Sequence, residues 1–395
     1  MNVCLISSEY PPETGWGGIG AHVYELAHGL VRYGHNVVVV SRAVYDETVY
    51  DDDGVLVYRI TLPKIFQKRI LWRINNIWDT YNLSVALRVR EIVRKHFIQL
   101  IEAPEARGEA FFFKLLSGLG KCKILVKLHT GTYLTLKLNN LPMRLRDRIV
   151  IFMERSTVRR AHHVVSPSQA LIELNREDDG YLFKGQAATV LRNAINFERF
   201  QQLPNIQQKS PYKNYILYVG RIEIRKGVET IFKIIPSIID KYPDVNFVFI
   251  GGDCGLKDSY LKSLPDKYRN NNVFLDHINR DELPLFYKNA LLCVFPSRWE
   301  NFPYTCLEAM ACGAAVIGSK SGGMAEMIEE DISGLLVSPD KPDELQEKIC
   351  LLLNSEEVRK TIGKNAVKRV KENFDIEVVV RETIKVYQEV IDRRN

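Results

Sequence analysis

GGIGAHVYELAHGLVRYGHNVVVVS, residues Gly17–Ser41, decides how this chain folds. From Ile19 to Tyr33 the apolar residues recur at helical spacing, and Gly34 follows, a residue that ends helices in the left-handed conformation. Val37–Val40 are four β-branched residues in a row. A strand with one wet face would alternate, so this run reads as a strand buried on both faces, which belongs to a parallel sheet. Upstream, Asn2–Ser7 is a short apolar run closed by polar residues and by Pro11–Pro12. Strand, glycine-bearing loop, helix and buried strand in that order make a βαβ unit.

The same rhythm extends in both directions. Strands are expected at Val55–Thr61, Gln99–Glu102, Lys123–Leu128, His163–Ser166 and Ala188–Leu191, with helices between them. Asn205–Lys213 is polar, lacks an apolar period, has Pro204 and Pro211 at its edges, and reads as a linker. The alternation then restarts with strand Tyr215–Gly220, helix Gly227–Lys241, strand Asn246–Gly251, helix Ser259–Tyr268, strand Val273–Leu275 and a helix around Asp281–Asn289. Strand Leu291–Pro296, helix Pro303–Cys312, and strands Ala314–Gly318 and Gly334–Val337 come next, and helices fill the chain from Asp343. The expectation is an α/β protein of two Rossmann-like, doubly wound domains, residues 1–205 and 206–374, with an interdomain cleft. In open α/β sheets ligands bind outside the carboxyl ends of the strands.

Composition narrows the function. The chain has 395 residues, 46% hydrophobic and 26% charged, which excludes a disordered or collagen-like polypeptide. No apolar run approaches the ~18–20 residues of a membrane span, and the first residues lack the basic and apolar regions of a secretory signal. A cytoplasmic protein is expected. None of the seven cysteines forms a CxxC pair, so buried free thiols are expected rather than disulfides or a zinc site. Residues 1–200 hold 27 Lys+Arg against 20 Asp+Glu, while the remainder is nearly balanced at 27 against 28. The excess gathers in Lys64–Lys95 and Lys137–Arg160. No RNP, zinc or helix-turn-helix signature accompanies it, so nucleic acid is not the expected partner.

Three segments carry chemistry. Gly17 and Gly18 open a helix, where backbone amides can approach an anion closely. A dinucleotide fingerprint would need an acid at the end of the second strand, but that strand ends at Ser41–Arg42. Gly220-Arg221-Ile222-Glu223-Ile224-Arg225-Lys226-Gly227 joins a strand to a helix, and Arg221 and Lys226 there suit a diphosphate. Ser297–Glu308 places Glu300 on a loop, Pro303 at the first position of a helix and Glu308 further along it. Such carboxylates can take the vicinal hydroxyls of a sugar or ribose. Asp51-Asp52-Asp53 reads as a solvated turn, and no metal site is expected.

Three stretches together resemble the retaining glycosyltransferases of family 4, which have the GT-B fold: Gly17–Ser41, YVGRIEIRKGVETI at Tyr218–Ile231, and FPSRWENFPYTCLEAMACGAAVIGSKSGGMAEMI at Phe295–Ile328. The last contains the family's E-x7-E pattern as Glu300 and Glu308. The resemblance implies a hexosyltransferase that uses no metal and no resident cofactor, with a UDP- or GDP-linked sugar as donor. It implies that Arg221 and Lys226 bind the diphosphate, Glu300 the donor sugar and Glu308 the ribose. Gly17, Gly18, Asn301 and Phe302 would line the donor site, and His129 would stand near the donor sugar as a catalytic residue. It also implies that the final helix, from about Asp375 to residue 395, returns to the first domain. Departures from the pattern include Asn301 and Pro303 where glycines are usual, and Ala325 before Glu326 where proline is usual. The first domain would hold a hydroxyl acceptor, lipid-linked or polysaccharide. Ile70, Ile74, Ile77, Trp78 and Tyr81, interleaved with Arg69 and Arg73, would form a helix able to lie on the inner face of a membrane. The other readings are a sugar-nucleotide epimerase and a non-catalytic sugar-nucleotide-binding protein on the same architecture.

Overall fold

The structure, a computed structural model, describes residues 1–61, 77–113, 121–177, 187–202, 211–276 and 278–393. The chain forms two compact units. The first comprises Met1–Lys137, Leu141–Ala194 and Ile376–Asn395, and the second Leu138–Asn140 and Ile195–Asp375. Residues 205–210 of the stretch read as a linker lie outside the described residues.

The first unit is built on a sheet of eight described strands. β1 (Asn2–Ile6) lies between β2 (Asn36–Arg42) and β5 (Leu100–Pro104). β4 (Val55–Ile60) follows β2 on one side, and β6 (Lys123–Lys127), β7 (His163–Ser166) and β8 (Ala188–Val190) follow β5 on the other. All these pairs are parallel. Val37, Val38, Val39 and Val40 are each at most 3% exposed, as their unbroken apolar run requires. Each such side chain contributes roughly 1.5–3 kcal/mol on burial. β3 (Thr48–Asp52) pairs antiparallel with β4 at the edge. Asp51 and Asp52 therefore belong to a strand, not to the solvated turn expected, and only Asp53, at φ 49°, turns the chain. An edge strand exposed on one side tolerates acids that a central strand would not.

The last helix, Ile376–Asp392, packs in the first unit against the helix Gly18–Arg32. Gly29 permits it: a Cβ there would stand 2.5 Å from a Val380 methyl. Tyr387, fully buried, reaches through to donate its hydroxyl to Glu102 on β5 at 2.6 Å.

The second unit has six described strands, all parallel, in the order β11-β10-β9-β12-β13-β14. They are β9 (Tyr215–Val219), β10 (Asn246–Ile250), β11 (Asn272–Leu275), β12 (Leu292–Phe295), β13 (Val316–Ser319) and β14 (Leu335–Val337). The direction of winding reverses between β9 and β12, which is where such sheets open a crevice. The helix Val228–Lys241 buries Ile231, Ile234, Ile235 and Ile238, an i, i+3, i+4, i+7 stripe, on one face of the sheet. The helix expected over Ser259–Tyr268 is two, Lys257–Ser263 and Asp266–Arg269, parted at Pro265. Pro303 is the N-cap rather than the first residue of the helix Tyr304–Ala311.

All seven cysteines are free, and Cys254, on the loop after β10, is exposed rather than buried. Among the described residues no helix is long and apolar enough to cross a membrane. The proposed surface helix at Ile70–Tyr81 falls largely outside the described residues.

Candidate active site

In the second unit, three loops at strand carboxyl ends are bound together. After β9 the chain leaves through Gly220 (φ 154°), makes a short 3-10 turn at Ile224–Lys226, and enters the next helix at Gly227 (φ 66°). A Cβ on Gly227 would lie 1.9 Å from the carbonyl oxygen of Pro296, on the loop after β12. The two loops are joined again where the Arg298 N–H donates to Arg225 O at 2.8 Å. The loop after β13 completes the set: Gly323 N–H donates to Glu300 O at 2.8 Å, and Gly322 lies against that same carbonyl with φ 65°.

These contacts gather a compact set of charges. The Glu300 carboxylate accepts from Lys226 Nζ, and from Ser297 Oγ at 3.1 Å. Arg225 Nη1 stands 3.5 Å from Glu300 Oε2 and donates to Trp299 O at 3.3 Å. Glu223 Oε1 takes Arg225 Nη2 and Arg221 Nη2, each at 3.0 Å. Glu223, Arg225 and Glu300 are buried, whereas the Arg221 side chain is 59% exposed. Burial alone would raise the Glu300 carboxyl, but Lys226 and Arg225 outweigh it and hold the group below its ordinary range. Burial lowers Lys226 despite Glu300. With three cations and two carboxylates the cluster keeps one net positive charge, and Arg221 carries its exposed end.

Glu308 is in a separate pocket of contacts on the helix Tyr304–Ala311. It is buried, takes the Tyr287 hydroxyl at 3.0 Å and lies 3.5 Å from Arg280 Nη2. Burial pushes its carboxyl up, and Arg280 and Tyr287 only partly offset this. Asn301 accepts the Trp299 indole N–H at 3.0 Å, and the Phe302 side chain is in the core against Phe374. Phe302 can therefore offer a ligand its backbone but not its ring.

In the first unit, the carboxyl ends of β1, β5 and β6 carry a second cluster. Gly17 caps the helix Gly18–Arg32, and the Glu9 carboxylate lies so close that a Cβ on Gly17 would be 2.2 Å from it. Gly18 has open space around it. His22 Nε2 meets Glu102 Oε1 at 2.9 Å. Burial and Lys127 lower the His22 imidazole, so a neutral ring donates its proton to an ionised Glu102. His129 stands with its ring centroid 5.9 Å from that of His22. Burial, His22 and Lys127 hold it well below its usual value, so it is neutral at pH 7. Its backbone N–H donates to both oxygens of Glu105 at 2.6 and 2.7 Å. Glu154 in turn takes the N–H groups of Arg107 and Thr132 at 2.8 and 3.0 Å. Burial and the nearby Glu154 push Glu105 up to about 8.

The structure thus brings Arg221, Lys226 and Glu300 together, and places Glu308 on the same unit and Gly17, Gly18 and His129 on the other. Sequence reasoning passed over Arg225, Glu223, Arg280, Tyr287 and the buried acids Glu102, Glu105 and Glu154. The sequence signal for two of these was three acids, Glu102, Glu105 and Glu109, following so closely on an apolar strand. His28, Asp52 and Asp53 place ligand atoms within 4.8 Å of one another. Asp53 is exposed and Asp52 is already engaged by the Tyr10 hydroxyl, so no role is assigned to them.

Residues 17–193 match the family model for a glycosyl transferase 4-like domain, and residues 200–369 match that for glycosyl transferases group 1. The chain belongs to glycosyltransferase family 4. This family-4 glycosyltransferase is 26% identical to an uncharacterised glycosyltransferase of Methanocaldococcus jannaschii over 98% of both chains. Its fold matches that of sucrose-phosphate synthase from Thermosynechococcus elongatus with a TM-score of 0.79 at 21% identity, over 98% of each chain. It also matches the Anabaena protein HepE, solved with UDP-glucose, with a TM-score of 0.71 at 18% identity, over 98% of this chain and 100% of that one. Likeness at this level establishes the GT-B fold.

Proposed function

We propose that this glycosyltransferase moves a hexosyl unit from a nucleoside-diphosphate sugar, UDP- or GDP-linked, to a hydroxyl of a glycan or lipid-linked acceptor of the cell surface, with retention at the anomeric carbon and without a metal. The observation that carries this reading is the cation–carboxylate cluster at the reversal point of the second sheet. When the anomeric C–O bond breaks, negative charge grows on the leaving diphosphate. Cations fixed in advance at that place lower the barrier, and losing one such group typically costs ~10²–10³ in rate. Arg221 offers an exposed guanidinium, and Lys226 an ammonium whose direction is set by Glu300. Bidentate hydrogen bonding suits Arg221 to phosphate oxygens.

Glu300, held by two cations, stays ionised and accepts from donor-sugar hydroxyls. Glu308 takes the ribose hydroxyls, with Tyr287 and Arg280 fixing its position. Neutral His129, its backbone pinned by Glu105, donates or accepts a hydrogen bond at a sugar hydroxyl without adding charge. The HepE complex with UDP-glucose supports the donor class.

A thermal-shift panel of nucleoside diphosphates and their hexose conjugates tests the proposal. A ligand at 100 times its Kd stabilises the native state by about 2.7 kcal/mol. One base is expected to raise the melting temperature and the others not. Absence of any shift with every nucleoside diphosphate at millimolar concentration would remove the donor assignment.

A further inference from the structure

The helix Leu145–Arg160 presents to solvent a face that a helix packed on its own core has no reason to carry. Leu145, Ile149 and Phe152, at i, i+4 and i+7, lie on one side. They are 76%, 52% and 62% exposed, and the approach to the helix adds Leu141 at 54% and Met143 at 42%. Phe111 extends the patch, with its ring 6.0 Å from that of Phe152. Contiguous exposed apolar surface of this kind marks an interaction site.

The charged residues that this segment exposes are arginines. Arg144, Arg146, Arg148, Arg159 and Arg160 are exposed. At ~100° per residue, Arg148 and Arg159 fall along one border of the apolar stripe and Arg160 along the other. Two acids lie in the same stretch. Asp147 is turned to the Arg144 backbone N–H at 2.8 Å. Glu154 is fully buried and serves Arg107 and Thr132 on the inner side. Both carboxylates are thus turned to backbone groups, away from the outer face. The buried side of the helix, with Ile151, Met153 and Val158, anchors it to the first unit.

We propose that this face docks the protein on an anionic bilayer: the Leu145–Ile149–Phe152 stripe enters the headgroup boundary and the flanking arginines meet lipid phosphates. A protein partner would have to bring acids set along both borders of a narrow apolar strip. An anionic interface accepts both at once, because its surface is apolar a few ångströms below a layer of negative charge. The inference uses none of the residues assigned to the reaction and stands independently of the donor and acceptor proposed above. It also assigns membrane contact to a different segment from Lys64–Lys95.

Co-sedimentation of the full chain with vesicles tests it, using phosphatidylcholine alone and phosphatidylcholine with 30 mol% phosphatidylglycerol as a probe composition of about one anionic lipid in three. Binding is expected only to the anionic vesicles and is expected to weaken as salt rises. Leu145→Ser/Ile149→Ser/Phe152→Ser is expected to lose more than about tenfold in partition coefficient. Arg146→Ser/Arg148→Ser is expected to lose about 25-fold, about fivefold per arginine. All five positions are exposed, so both variants should melt with the parent, and melting curves report whether they do. Wild-type protein that stays in the supernatant with anionic vesicles at low salt overturns the proposal. So does pelleting unchanged by both variants. A parent dimer that becomes monomeric in the serine variant makes the face an interface between copies and likewise overturns it.

Discussion

Replacing Arg225 by methionine removes a buried cation while nearly keeping its volume. The guanidinium serves Glu223 at 3.0 Å, Glu300 at 3.5 Å and the Trp299 carbonyl at 3.3 Å. Breaking a buried ion pair from one side typically costs about 3–5 kcal/mol. Here each carboxylate keeps one cation, Arg221 for Glu223 and Lys226 for Glu300, so the loss should fall at the lower end, about 3 kcal/mol. For a unit of this size that corresponds to a melting point lower by about 6–12 °C. The loss should also depend on pH. Glu300 is held below its ordinary range in the folded state, so its contribution is present above the unfolded pKa and is lost as pH falls through the folded one. Arg225→Met shrinks that contribution, and the gap between variant and wild type should be widest near pH 7 and narrow in the acid range. Scanning calorimetry at pH 7 and at about pH 3, a unit or more below the ordinary glutamate value, reads both effects. A variant that melts within about 1 °C of wild type at pH 7, or a gap that stays constant on acidification, refutes the reasoning.

Three further outcomes follow from the same physics. Glu105, raised to about 8 by burial and by Glu154, keeps a proton in the folded state that the unfolded chain loses above about 4.5; stability therefore falls as pH rises between these values and levels off above. Glu105→Gln should gain on wild type across that window by up to about 1.4 kcal/mol per pH unit, and denaturant melts showing no pH-dependent difference would count against the assignment. Gly227→Ala has no room beside the Pro296 carbonyl and requires a left-handed backbone; it should cost about 1–3 kcal/mol and weaken nucleotide binding with it, whereas an unchanged Kd by calorimetry would separate that loop from the donor. Tyr287→Phe leaves the buried Glu308 oxygen without its hydroxyl donor; the expected price is about 1–3 kcal/mol in stability with a raised donor KM, and an unaltered KM would remove Glu308 from ribose binding.

How far the chain could be read before folding depends on what each residue reports. Val37–Val40 and the isoleucine stripe of Val228–Lys241 announce burial directly, since an apolar run or period has few other uses, and both sheets follow from such segments. Edge strand β3 was missed because its acids resemble a turn and its pairing with β4 is made by backbone. Arg221, Lys226 and Glu300 were legible through the spacing of glycines, cations and acids around strand ends. Arg225 was not, because nothing in IRKG separates the arginine that turns inward from the lysine beside it. That choice is made by Glu223 and Glu300, one of which is 75 residues away. The same holds for Tyr387 and Glu102, whose bond spans 285 residues. The outer face of Leu145–Arg160 had registered only as a basic stretch, since its apolar stripe becomes visible once the opposite side is seen to be packed.

The most direct test of the central claim is to replace Arg221 and Lys226 together by methionine and to measure nucleoside-diphosphate affinity by calorimetry beside turnover on the donor found in the thermal panel. If these two cations carry the leaving diphosphate, affinity should fall by at least about tenfold and turnover by about 10²-fold or more. Unchanged affinity and turnover in a folded double variant would contradict the account.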